Sequence, residues 1–234
     1  PVCLALPQDV QTMAFDCPQA FLEPRTVHIR RPAPDAHELA AANDMLTASK
    51  RPIVVAGGGV LYSRAGATLA AWATAHGVPV VETQAGKGSL AWDHDLNAGA
   101  VGVTGSPAAN TLASQADLVI AIGTRLQDFT TGSHALWPNA QMLSINVAPT
   151  DAAKWRGHSL VADARVVLAG LRPGTWRADE AWSRKARELS AAWRDRVTQV
   201  TTTTPPAGTV PYDADVIGAV RDSAADSASR DIVV

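Results

Sequence analysis

One glycine-rich stretch, residues 51–83, limits what this chain can fold into more than any other part of the sequence. Residues 53–56 form a short, continuously apolar run, as expected for a strand that is covered on both faces. The three glycines at 57–59 lack Cβ atoms, so the backbone there can turn sharply or approach a ligand closely. An alanine-rich segment at 64–76 predicts a helix, and residues 79–81 predict the next strand. The pattern predicts a parallel βαβ unit whose glycine turn lies where such sheets bind ligands.

The rest of the chain continues this alternation of strands and helices. Further strands are predicted at residues 2–6, 117–122, 142–147, 160–161 and 231–234. Helices are predicted after the N-cap residues Asp35 and Ser106, from Asp163 to Leu171, and at residues 178–198 and 213–225. The polar, glycine-rich stretch from 83 to 107 is predicted to be a long loop that carries a function or an interface. Together these patterns predict an α/β fold, a Rossmann-like parallel sheet with helices on both faces.

Changes in composition suggest domain limits along the chain. Four prolines at 15–34 indicate an extended linker, and the amphipathic character changes at residue 172. We predict a remnant of one domain at 1–20, a linker at 21–34, a central domain at 35–171, a helix and linker at 172–211, and the start of another domain at 212–234. Because both ends of the chain resemble strands, we expect it to be a segment of a longer polypeptide.

Composition and charge exclude several classes of protein. The net charge of −2 gives no electrostatic case for binding nucleic acid, and no basic run contradicts this. No apolar segment reaches the roughly 20 residues that a membrane-spanning helix needs. Cys3 and Cys17 lie far apart and lack the spacing of a metal site, so we expect unpaired thiols in a reducing cytoplasm.

The glycine turn has two interpretations, a phosphate-binding turn and a purely structural one. Backbone N–H groups at a helix N-terminus attract anions, which favours the first. The dinucleotide pattern G-x-G-x-x-G is incomplete, however, because Tyr62 stands at the third glycine position and is expected to hold helix and strand apart. Glu82 lies near the position of a ribose-binding acid, although its neighbours suit a loop equally well.

The sequence contains no pattern typical of a catalytic acid, base or nucleophile. The six histidines are scattered without the spacing of a metal site. Arg125 and Asp128 follow the strand at 117–122, where they would face a ligand in the crevice or form an ion pair that stabilises the loop. Any catalytic groups are therefore expected to lie outside these residues.

Several motifs together resemble the central part of thiamine-diphosphate enzymes of the acetohydroxyacid synthase-like superfamily. They are PVCLALPQDV, RPIVVAGGGV, HGVPVVET, LVIAIGTRLQDFTTG and SINVAPTDAAK, in that order. Two segments, ETQAGKGSLAWDHDLNAGAVGVTG and GTRLQDFTTGS, are similar to the branch of hydrolases that act in myo-inositol catabolism. The resemblance covers nearly the whole chain, with residues 1–20 matching the end of the pyrimidine-binding domain and 212–234 the start of the diphosphate-binding domain.

This resemblance implies a parent enzyme that cleaves a cyclic 1,2-dione with water, using thiamine diphosphate and Mg²⁺. In the family, the activating glutamate and the GDG…N motif that holds Mg²⁺ belong to the two flanking domains, so no catalytic residue or metal ligand is expected in this chain. The central domain would then serve as scaffold and interface. A homodimer or homotetramer is expected of the parent, because active sites in the superfamily form between subunits.

The resemblance also implies a possible flavin site, because the central domain of acetohydroxyacid synthases binds FAD. The matching positions in this chain are Gly57, Gly58, Gly59, Thr83, Gly105, Gly123 and Arg125. The segments GTRLQDFTTG and INVAPT lack the second acidic pair of those flavoenzymes, which argues against FAD. Two alternatives stay open, a flavin- or nucleotide-binding central domain of a carboligase or decarboxylase, and a non-enzymatic ligand-binding module.

Overall fold

The computed structural model describes residues 3–202, 206 and 208–225, which belong to two compact units, Pro1–Arg30 and Arg31–Val234. In the first unit, helix α1 covers Gln8–Gln11, a 3₁₀ turn covers Gln19–Phe21, and the described side chains are exposed. The strand predicted at 2–6 is wrong over residues 3–6, where the apolar run has no partner strand among the described residues. Cys3 and Cys17 are free and exposed.

The second unit is built on a parallel sheet, and the predicted α/β fold is confirmed. Its strands within the described residues are β1 Pro52–Ala56, β2 Val80–Glu82, β3 Asn97–Ala100, β4 Leu118–Ile122, β5 Gln141–Asn146 and β6 His158–Val161. Their order is β3-β2-β1-β4-β5-β6, and every neighbouring pair is parallel. Strands β1 and β4 are buried along their whole length, as their continuous apolar runs predict.

The helices connect these strands as a doubly wound fold requires. Within the described residues they are α2 Ala36–Ala48, α3 Gly58–Tyr62, α4 Gly66–His76, α5 Pro107–Gln115, α6 Asp128–Thr131, α7 Pro149–Ala152, α8 Ala164–Gly170, α9 Glu180–Thr201 and α10 Asp213–Ala225. The two predicted N-caps are confirmed, because the side chains of Asp35 and Ser106 accept hydrogen bonds from the first turns of α2 and α5. Asp163, where a helix was predicted to begin, caps α8 in the same way. The predicted strand at 231–234 lies outside the described residues.

Two elements, α3 and β3, differ from the sequence prediction. The glycine turn is the first turn of α3, although glycine has a low helix propensity. Strand β3 lies inside the predicted long loop, where its sequence NAGA has little strand propensity. Neighbouring backbone supplies the missing stability in both cases, because α3 contacts the loop after β4 and β3 pairs with β2.

Helix α9 and the segment before it are anchored to the sheet and to the ends of two helices, through tryptophan indoles and a serine. Trp182, 3% exposed, donates from Nε1 to the carbonyl of Pro52 at the start of β1, at 2.8 Å. Just before α9, Trp176 donates from Nε1 to the carbonyl of Ser49 at 3.2 Å. The Oγ of Ser183 donates to the carbonyl of Gly77, at the C-terminal end of α4, at 2.6 Å. Carbonyls that the sheet and helices leave free are thus paired by residues that follow the predicted central domain.

The side chain of Asp163 both caps helix α8 and forms an ion pair with Arg31. Its Oδ2 accepts from Arg31 Nη1 at 2.8 Å, and its Oδ1 accepts from Ser63 Oγ at 2.6 Å. Burial favours the neutral acid, but the hydrogen bonds from Ser63, the Val166 N–H and Arg31 outweigh it and hold the pKa of Asp163 below its ordinary value. The carboxylate therefore stabilises the folded chain.

We expect Asp163→Asn to lower the free energy of unfolding at neutral pH by about 1–3 kcal/mol, because the amide caps α8 but cannot carry the charge that pairs with Arg31. The folded-state pKa is depressed, so the stabilisation is present above the unfolded value of about 3.9 and is lost as the pH falls through the folded value. Urea denaturation of both proteins across this range measures the difference.

The matched control is Asp35→Asn, since Asp35 caps α2 and has no ion pair among the described residues. We expect this variant to lose less stability than Asp163→Asn. A deficit of Asp163→Asn that stays constant down to pH values well below 3.9 contradicts the role of the charge.

Candidate functional site at the carboxyl edge of the sheet

The carboxyl edge of the sheet contains the point where the strand order reverses. From β1 the chain adds β2 and β3 on one side, and then returns to place β4 on the other side of β1. In open α/β sheets, ligands bind in the crevice outside the carboxyl ends of two such strands. Gly57 follows β1 and Gly123 follows β4, so both lie at this point.

The two glycine turns pack directly against each other. The N–H of Gly57 donates to the carbonyl of Ile122 at 2.8 Å, and the N–H of Gly59 donates to the carbonyl of Gly123 at 2.9 Å. A Cβ on Gly59 would lie 2.6 Å from Cα of Gly123, and a Cβ on Gly57 would overlap the Gly123 carbonyl. The φ angle of Gly57 is −104°, which any residue can adopt. Close approach to backbone, and not a left-handed conformation, therefore requires glycine at 57.

A third loop, after β2, completes this contact. The N–H of Thr83 donates to the carbonyl of Ala56 at 3.0 Å, and the N–H of Gly86 bonds to Thr83 Oγ1 at 3.1 Å. A Cβ on Gly86 would overlap the Ala56 carbonyl and lie 2.9 Å from Cα of Gly57. Thr83 is 6% exposed, so its hydroxyl serves the loop and does not face solvent.

Glu82, the last residue of β2, is fully buried at 0% exposure. Its Oε1 accepts from the N–H groups of Gly88 and Leu90, both at 3.1 Å. Its Oε2 lies 3.8 Å from Nζ of Lys87 and has no hydrogen-bond partner among the described residues. Glu82 thus fixes the loop that follows β2 and is not placed on an open surface where a ribose could bind it. Its spacing from the glycine turn did not indicate this role.

Arg125 lies in the loop after β4 with its side chain 72% exposed. Its Nε is 3.6 Å from Oδ2 of Asp151 on α7, and its carbonyl accepts from Lys154 Nζ at 3.1 Å. The ion pair that the sequence suggested with Asp128 is therefore formed with Asp151 among the described residues. Asp128 begins α6 instead. Leu126 has a φ of +46°, which shows a constrained backbone beside Arg125.

Gly105 belongs to the loop between β3 and α5. The N–H of Gly105 donates to the carbonyl of Gly102 at 2.9 Å, and the side-chain amide of Asn110 pairs with both the N–H and the carbonyl of Gly102. This loop reaches the one after β4, because the N–H of Val103 donates to the carbonyl of Phe129 at 2.8 Å.

The structure thus brings Gly57, Gly59, Gly123 and the Thr83 loop together at one edge, with Gly105 linked through a neighbouring loop. The N–H groups of Gly57 and Gly59 already donate to carbonyls, so they are not free to bind a phosphate or a flavin diphosphate. Tyr62 is 87% exposed, so the prediction that its side chain holds helix and strand apart is wrong. A ligand contact through other atoms stays a prediction for all seven positions, Gly57, Gly58, Gly59, Thr83, Gly105, Gly123 and Arg125.

The described residues contain neither a cluster of metal-binding side chains nor a membrane-spanning helix. Over residues 3–202, 206 and 208–225, the structure shows no group of three or more His, Cys, Asp or Glu side chains arranged to hold a metal ion. Within the same residues, every helix is too short or too polar to cross a membrane.

Comparison with known proteins shows the family to which this chain belongs. Residues 39–171 match the sequence profile of the thiamine pyrophosphate enzyme central domain, and the chain belongs to this family. An X-ray structure from Mycobacterium smegmatis, of a protein assigned as a thiamin diphosphate-dependent enzyme, is 28% identical with a TM-score of 0.53, over 67% of this chain and 30% of that one. The predicted family and fold are thereby confirmed.

Curated relatives indicate one branch of this family. A 3D-(3,5/4)-trihydroxycyclohexane-1,2-dione hydrolase from Clostridium perfringens is 43% identical over 73% of this chain and 27% of its own length. The protein of the same name from Geobacillus thermodenitrificans is 41% identical over 82% of this chain and 30% of its own length. The chain therefore spans less than a third of the length of either relative.

Proposed function

We propose that this chain is the central domain of a thiamine-diphosphate-dependent hydrolase that opens trihydroxycyclohexane-1,2-dione in inositol catabolism. The observation that carries the proposal is the 43% identity to a relative of that name across 73% of the chain. The loops after β2 and β4 contain the segments that suggested this branch, and both lie at the packed carboxyl edge. A loop fixed by the buried Glu82 suits a scaffold whose shape must be maintained.

The proposed reaction is a hydrolysis that balances without an oxidant or reductant. Water cleaves the bond between the two carbonyl carbons, so that one carbon gains OH and becomes a carboxylic acid, and the other gains H and becomes an aldehyde. Thiamine diphosphate, when bound, supplies the nucleophilic carbon that C–C cleavage requires. We expect the residues that hold thiamine diphosphate and Mg²⁺ to belong to the flanking domains, so no step of the reaction is assigned to the residues described here. Their proposed contribution is to hold neighbouring parts of the enzyme in place.

We propose that the full polypeptide that contains this chain is a cytoplasmic homo-oligomer. The proposed activity is tested on that polypeptide. Supplied with thiamine diphosphate and Mg²⁺, it should convert the cyclic dione to 5-deoxyglucuronate, observed by mass spectrometry as the gain of one water. Acetolactate formation from pyruvate, without ring opening, would favour a carboligase instead. Ring opening by the isolated 234-residue chain would show that it holds catalytic groups of its own.

We expect the purified chain to contain no flavin, because the N–H groups of Gly57 and Gly59 already donate to the carbonyls of Ile122 and Gly123. The absorbance spectrum of the chain, before and after incubation with excess FAD and gel filtration, provides the measurement. Retention of stoichiometric FAD would favour the second candidate, a flavin-binding central domain.

A further inference from the structure

A groove of about 360 Å³ lies beside the edge strand β3, between the loop after β2 and helix α9. Its volume is at the lower end of the range typical of small-ligand pockets. Three cationic side chains, Lys87, Arg194 and Arg221, line it, and none of the described lining residues is a carboxylate. The groove therefore has the charge expected of an anion-binding site.

The inner face of α9 changes character where it reaches this groove. At intervals of four residues, the helix presents Trp182, Ala186, Ser190 and Arg194. Trp182 and Ala186 are 3% and 0% exposed and pack in the core, as expected for such a face. Ser190 is 2% exposed but polar, and Arg194 is half-buried and charged. The inner face of α9 is therefore polar where it lines the groove.

Two polar atoms on this face are buried without a hydrogen-bond partner among the described residues. Neither Ser190 Oγ nor Arg194 Nη1 has a hydrogen bond within the described part of the chain. Arg194 also has no ion pair there, whereas Lys87 lies 3.8 Å from Glu82 and Arg221 lies 2.8 Å from Asp222. Leaving a buried donor unpaired is costly, so these atoms are suited to a ligand that supplies oxygen acceptors.

The groove is also lined by aromatic surface. Trp92 and Trp193 line the groove, and Trp92 is 73% exposed although its indole is large and apolar. Exposed aromatic rings at the mouth of a pocket provide contact area for a flat or apolar body. The groove thus combines cationic side chains that suit an anion with aromatic surface that suits a ring.

We propose that this groove binds a small organic anion, a carboxylate or phosphate joined to a flat ring, with Arg194 and Ser190 bonding the anionic oxygens and the two tryptophans contacting the ring. Guanidinium groups bind both kinds of anion through paired N–H donors. The inference goes beyond the proposed function, because binding to the chain is measured without turnover.

The test is calorimetric titration of the purified chain at low ionic strength with phenyl phosphate and with benzoate. Inorganic phosphate and benzyl alcohol serve as probes for the anion alone and the ring alone. We expect saturable binding of phenyl phosphate or benzoate, at least about tenfold tighter than either partial probe. The indole N–H signals of Trp92 and Trp193, assigned with Trp→Phe variants, should shift in NMR spectra. Whichever compound binds more tightly identifies the anionic group.

The key variant is Arg194→Gln, which we expect to weaken binding at least about tenfold. Arg196→Gln is the matched control, because this substitution removes the same charge from the same helix. Arg196 is exposed and does not line the groove. It should change affinity less than about twofold, as expected for a screened surface charge. Equal weakening by both variants, or no saturation, would overturn the proposal.

The Ser190→Ala variant distinguishes a groove that binds a ligand from one that holds only water. Removing a buried, unpaired hydroxyl should raise the Tm of the unliganded chain. If the hydroxyl also bonds the ligand, the same variant should bind the preferred probe more weakly than the parent does. A higher Tm with unchanged affinity for that probe would contradict the role given to Ser190.

Discussion

Replacing Gly86 with alanine is expected to lower the free energy of unfolding by about 3 kcal/mol or more, or to prevent folding altogether. The new Cβ would overlap the carbonyl oxygen of Ala56 and lie 2.9 Å from Cα of Gly57. Both neighbours are backbone, so no flexible side chain can move aside. The junction of the loops after β1, β2 and β4 would have to separate. Chemical denaturation, or the soluble yield if the variant does not fold, measures the effect.

Gly88→Ala provides the control two residues away. Gly88 has a φ of +86°, and a Cβ there would meet nothing within 4 Å. This variant therefore shows only the cost of a left-handed alanine, about 1 kcal/mol. If Gly86→Ala were no less stable than Gly88→Ala, the close packing of the three loops would not be what requires glycine at 86.

Replacing Glu82 with alanine is the second change for which we expect a large loss, about 3 kcal/mol. It leaves a cavity at a fully buried position and removes the acceptor of the Gly88 and Leu90 N–H groups. Leu90 is 3% exposed, so water cannot readily replace that acceptor. Besides lower stability, we expect faster hydrogen exchange at the Leu90 amide, which shows that the loop itself has loosened.

Glu82→Gln is the matched control, because glutamine keeps the shape and can keep an oxygen toward Gly88 and Leu90. We expect it to be less destabilising than alanine, with slow exchange retained at Leu90. If the loop loosened as much in the glutamine variant as in the alanine variant, the main role would instead belong to the ion pair between Glu82 and Lys87. The N···O distance of that pair is 3.8 Å.

The sequence predicted the features of this fold that depend on nearby residues. Asp35, Ser106 and Asp163 cap their helices through N–H groups within three residues, which a local pattern can encode. Strands β1 and β4 are central and covered on both faces, so their apolar runs are sufficient to predict them. The resemblance of the loops to one enzyme family agrees with the relatives found.

Features that depend on distant contacts could not be predicted in this way. The sequence NAGA becomes strand β3 because it pairs with β2, and Gly58 and Gly59 enter α3 beside the loop after β4. Arg125 pairs with Asp151 because α7 follows the neighbouring strand β5, a proximity that only the sheet order creates. The unpaired atoms of the groove beside β3 are likewise visible only once α9 is placed.

The anchoring of α9 has a consequence for how this protein can be divided. The family profile ends at residue 171, whereas Trp176, Trp182 and Ser183 pair backbone carbonyls of earlier residues. A recombinant polypeptide cut at that limit would leave the carbonyls of Ser49, Pro52 and Gly77 without these donors and would expose the surface that Trp182 covers. A gene fusion or domain exchange that is to keep these hydrogen bonds would therefore have to extend through α9.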